Sequence, residues 1–73
     1  MSDPRLLALA SELKALGIPA SCYSLGHQRD ERTCLVFFEG KWLVYYSERG
    51  AFSELSTFDS FEDAKANFIG RLQ

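Results

Sequence analysis

Few residues in this chain could do covalent or metal chemistry: His27 is the sole histidine, and Cys22 and Cys34 are the two cysteines. A thiolate and imidazole drawn from them would form a nucleophile with its base. Such a pair needs a third group to orient the ring and donors for an oxyanion, and no motif supplies either. As zinc ligands the three side chains have irregular spacing and lack a fourth donor. Gly17, Gly26, Gly40, Gly50 and Gly70 are scattered singly, which suits caps and turns rather than a phosphate-binding loop. Glu62 and Asp63 form a carboxylate pair, but at a helix start the macrodipole accounts for them without catalysis. The expectation is therefore no enzyme, no metal and no cofactor.

Binding chemistry is better represented. The run Gly26-His27-Gln28-Arg29-Asp30-Glu31-Arg32 is dense in polar groups. It reads either as a solvated turn or as an adaptable recognition loop. Glu48 and Arg49, in a second polar turn, either brace that turn or stand on an interface rim, where Arg is a favoured anchor. Tyr45 and Tyr46 alternate faces of a strand, so only one can enter the core. The candidate contact set is His27, Arg29, Asp30, Tyr45, Tyr46, Glu48 and Arg49.

Composition bounds what can carry these residues. The chain has 73 residues, a net charge of -2, 47% hydrophobic and 14% aromatic content. That length predicts one domain over residues 1–73. Such a domain buries only roughly 60% of the surface its unfolded chain exposes, which leaves little room for a polar catalytic cleft. The aromatic content argues against disorder, and the acid excess against a phosphate-backbone partner. Met1-Ser2-Asp3-Pro4 lacks the basic flank and long apolar core of a secretory leader. Leu6 to Ala10 and Cys34 to Phe38, the longest apolar runs, are far short of a membrane span. Two cysteines are fewer than small secreted domains usually carry, so reduced thiols and a cytoplasmic location are expected.

The elements follow from periodicity and punctuation. Asp3-Pro4 opens a helix over residues 4–16, with Leu6, Leu9, Ala10, Leu13 and Leu16 as its core stripe, closed by Gly17 and Pro19. Residues 21–25 read as a short strand. Thr33 to Phe38 and Lys41 to Tyr46 read as strands joined at Glu39-Gly40. Ala51 to Phe58 reads as another strand. Asp59 or Ser60 caps a last helix whose apolar stripe is Phe61, Ala64, Phe68 and Leu72. The expected fold class is α+β: one small domain in α-β-β-β-β-α order, with an antiparallel meander against both terminal helices. Double-stranded-RNA-binding domains have a related order, but they carry a basic cluster where this chain has Asp59-Ser60-Phe61-Glu62-Asp63.

Hairpin parity sharpens the picture. A two-residue turn at Glu39-Gly40 places Phe37, Leu35 and Thr33 opposite Trp42, Val44 and Tyr46 on one face. Val36 and Cys34 then lie opposite Leu43 and Tyr45 on the other. A four-residue second turn would set Phe52 opposite Tyr45. Both faces are thus apolar, and two short helices can cover only one. Leu35, Trp42, Val44 and Leu55 are assigned to the covered core. Cys34, Val36, Phe38, Leu43, Tyr45 and Phe52 are left on a partly open face, a pattern that marks a partner surface or self-association. Val36, Phe38, Leu43 and Phe52 are the alternative interface anchors.

Leu16-Gly17-Ile18-Pro19, Tyr23-Ser24-Leu25, Cys34-Leu35, Gly40-Lys41-Trp42, Val44-Tyr45-Tyr46-Ser47-Glu48-Arg49-Gly50 and Phe58-Asp59-Ser60, followed by Ala64 and Phe68, carry a resemblance. Over about Leu13 to Phe68 the chain resembles small bacterial immunity proteins associated with NAD-degrading toxins of the tuberculosis-necrotizing-toxin type. The most specific piece is Trp42 to Gly50. The resemblance implies a cytoplasmic protein without chemistry of its own, which blocks a cognate NAD glycohydrolase sterically. Family members tend to have an uncharged, glycine-rich start to the loop after Leu25. They also tend to be polar where this chain has Val36, Phe38, Leu43 and Phe52. Those departures imply a face tuned to one partner or to self-association. The alternative expectation is a homodimeric interaction module pairing through its apolar sheet face.

Overall fold

Asp3 starts the first helix by accepting the Arg5 amide on its carboxylate at 2.8 Å, as an N-cap does. The computed structural model describes residues 3–73. Met1 and Ser2, on which part of the leader expectation rests, lie outside them. The helix, α1, spans Pro4–Ala15. Gly17 closes it with φ of 80°. The Ile18 amide bonds back to the Leu13 carbonyl at 3.1 Å and the Gly17 amide to Lys14 at 3.0 Å. This double closure needs a left-handed residue, which glycine supplies without strain. It also ends the buried stripe a turn early. Leu9 and Leu13 are buried, whereas Leu16, expected in the core, is 49% exposed.

Residues Ala20–Cys22 form a 3-10 turn rather than the start of a strand. The strands are β1 (Tyr23–Leu25), β2 (Arg32–Phe38), β3 (Lys41–Glu48) and β4 (Ala51–Phe58), and the last helix is α2 (Phe61–Leu72). The fold is the expected α+β domain in α-β-β-β-β-α order. Ser60 caps α2 by accepting the Asp63 amide at 3.2 Å. The sheet order is β1-β2-β3-β4.

The first hairpin has the register that parity dictates: Phe37 faces Trp42, Leu35 faces Val44 and Cys34 faces Tyr45. Glu39 and Gly40 both have positive φ, at 48° and 81°, the geometry that matches strand twist across a two-residue turn. The second hairpin departs from expectation. Its turn is also two residues, Arg49-Gly50, so Phe52 faces Ser47 rather than Tyr45. A bulge then interrupts the ladder between Val44 and Tyr46, with Glu54 at φ of 55°. One inserted residue flips the parity of everything after it. Leu55 therefore leaves the core face to which it was assigned and is 53% exposed.

β1 pairs with β2 in parallel, with Tyr23 beside Thr33 and Leu25 beside Leu35. Parallel neighbours ordinarily need a crossover of a dozen residues or more. Here the link is only residues 26–31, and it returns across the sheet.

The core lies on one face. Leu9, Leu13, Leu35, Trp42, Val44, Ala64 and Phe68 form a single buried cluster, with Tyr23, Phe58 and Phe61 packed against it. Both helices cover this first face, joined by Lys65 and Glu12 at 3.2 Å. Trp42 meets Phe61 edge-on at 4.9 Å, and the Arg5 guanidinium lies 5.0 Å from the Trp42 ring centre. Such a cation is attracted to the negative face of the ring.

Candidate binding surface

The second sheet face has no helix over it, and it is divided in two. At one end the link 26–31 folds down onto the sheet. The Ser24 hydroxyl donates to the His27 carbonyl at 2.6 Å. The Glu31 amide donates to the Ser47 carbonyl at 2.6 Å. Asp30 Oδ1 accepts from Ser47 Oγ and from the Gly50 amide, each at 3.4 Å. The Cys34 thiol reaches the Arg29 and Arg32 carbonyls at 3.6 and 3.5 Å. Cys34, Tyr45 and Ser47 are buried as a result. Cys34 and Tyr45, assigned to an open face, are therefore covered by a loop where neither helix could reach.

The other end stays open. Phe38 is 60% and Phe52 54% exposed, and Leu55 joins them. Val36 and Leu43 lie between, half-buried. Together with Tyr45 these side chains line a depression of about 410 Å³. His27 and Gln28 form its loop-side wall. The Tyr45 ring forms part of its floor and meets the Phe52 ring at 4.7 Å. Burial pushes the Tyr45 phenol up from its ordinary pKa, and the adjacent Cys34 adds to the shift.

The structure thus brings together all four apolar anchors, Val36, Phe38, Leu43 and Phe52, with Tyr45 from the polar set. His27 joins them at the wall, with its Nε2 accepting from Arg29 Nε at 3.0 Å. Asp30 is bonded across to the turn that carries Glu48 and Arg49. Tyr46 is set apart: it pairs with Thr33 and points to the helix-covered face, half-buried. Four lining residues lie outside the candidate sets read from the sequence: Gly26, Gln28, Phe37 and Leu55. Gln28 carried no signal beyond polarity. Leu55 was concealed by a bulge whose left-handed residue is a glutamate, so no glycine announced it.

Among the described residues no group of three His, Cys, Asp or Glu side chains could hold a metal ion. No helix among them is long and apolar enough to cross a membrane. No protein-family model, no curated protein and no solved structure matches the chain.

Proposed function

We propose that the chain is a binding protein without chemistry of its own, and specifically an immunity protein that inhibits a cognate NAD glycohydrolase toxin. The single observation that carries the binding reading is Phe38, Phe52 and Leu55 standing exposed around one apolar depression on a sheet face with no helix over it. Water-exposed aromatic and aliphatic groups clustered beside polar walls are the composition of an interface centre with its rim. The partner's identity rests on the resemblance carried by Trp42 to Gly50. A cytoplasmic site of action follows from that partner, which consumes a cytoplasmic cofactor.

In this reading the apolar face seats against the toxin and bars substrate from its pocket. His27, Arg29, Glu48 and Arg49 supply the polar rim. Truncating an anchor at an interface centre costs about 2 kcal/mol or more, roughly a 30-fold loss in affinity. The test mixes purified chain with a purified NAD glycohydrolase toxin and follows NAD loss. Inhibition near equimolar ratio supports the proposal; undiminished NAD consumption at molar excess refutes it.

A second reading is a homodimer built on the same face. It is favoured by β4, which is an outer strand whose residues 51–55 are all exposed beside the patch. Unpaired strand edges are ready templates for another chain. Sedimentation separates the readings: a stable dimer that Phe38→Asp converts to monomer favours the second.

A further inference from the structure

We infer that Asp30 is the positioning residue of the binding surface, a clasp that holds the 26–31 link down over the second sheet face and so sets the His27–Gln28 wall. Three observations lead there. The link joins two parallel strands with half the usual length of chain. So short a return crosses the sheet without secondary structure of its own, and it must be held by bonds to what it crosses. Among the described residues, Asp30 is the one link residue whose side chain bonds to the β3–β4 hairpin. The Arg29 side chain bonds to His27, within the link.

The two donors that Asp30 Oδ1 serves have little else. Ser47 is fully buried, so without the carboxylate its hydroxyl is left unpaired in the interior, the expensive case for a polar group. Gly50 sits at the second position of a tight turn with φ of 80°, where its amide points out of the ladder. One carboxylate therefore ties the link to both the strand and the turn of that hairpin. Beneath the clasp lie Cys34 and Tyr45, both buried. Release of Asp30 lifts the link, exposes those two side chains and removes one wall of the apolar depression.

The inference deepens the binding reading, but its test needs no partner, so the two fail separately. Cys34 is buried and Cys22 exposed, which makes Cys34 the reporter once Cys22 is replaced by serine. In that background, Asp30→Ala is expected to raise the rate of Cys34 labelling by a disulfide reagent at least about tenfold. Asp30→Asn keeps one acceptor oxygen and is expected to restore most of the protection. Hydrogen exchange localises the opening: the Glu31 amide loses protection in Asp30→Ala while the Phe68 amide in α2 keeps it. Unchanged Cys34 labelling in a folded Asp30→Ala protein overturns the inference, as does equal loss of protection at Phe68. Should Asp30→Ala fail to fold, Ser47→Ala removes one of the two donors. Labelling faster than in the parent then supports the clasp, and no acceleration contradicts it.

Discussion

Among the described residues four that are not glycine hold positive φ: Glu31, Glu39, Arg49 and Glu54. Each carries a side chain where glycine or asparagine would sit with less strain. Glu39 does so in the exposed turn of the first hairpin. Glu39→Asn is therefore expected to stabilise the fold by about 0.5–1 kcal/mol, seen as a rise of a few degrees in the thermal midpoint. Tyr45 gives a pH signature. Its pKa is raised mainly by burial, so the folded protein holds that proton more tightly than the unfolded chain. The contribution is intact below the unfolded phenol's pKa of about 10 and is lost as pH rises through the higher folded value. Tyr45→Phe is expected to flatten the alkaline fall in stability, measured by urea melts from about pH 9 to 11. Asp3 has the opposite sign. Its pKa is lowered, chiefly by its side-chain bond with Arg5. That support is present above the ordinary carboxylate range and is lost on acidification.

The elements show which signals a single sequence carries. Hairpin parity was legible because a two-residue turn at Glu39-Gly40 fixes every pair that follows, and the register of β2 and β3 obeys it. The α2 stripe was legible for a similar reason: Ala64 and Phe68 are buried one turn apart. Replacing Phe68 by Ala is expected to cost about 3–5 kcal/mol in denaturant unfolding, since its ring is fully buried in the core cluster and its loss leaves a cavity there. Three features were not legible. The bulge at Glu54 has no glycine to mark it. The parallel pairing of β1 depends on a link whose hold is tertiary, through Asp30 and Ser47. The burial of Cys34 and Tyr45 depends on that same link, so parity alone placed them on an open face. Leu55 is the test at this scale: with its side chain on the open face, Leu55→Ser is expected to change stability by less than about 1 kcal/mol. A buried leucine such as Leu35 would lose several.

At the scale of the molecule, the apolar residues exceed what the helices can cover. One sheet face takes both helices and forms the core. The other is half closed by a six-residue link and half left to water. The candidate site was partly legible for that reason: its apolar anchors followed from parity, whereas the polar rim followed only from composition. Tyr46 points to the helix-covered face, away from the depression, and Asp30 is engaged within the fold. The most direct measurement titrates this protein and its Phe38→Asp variant against a purified NAD glycohydrolase toxin while NAD loss is followed. The account predicts full inhibition by the parent near equimolar ratio, and roughly 30-fold weaker inhibition by the variant. Unchanged NAD loss with the parent in excess, or equal inhibition by the two proteins, would contradict it.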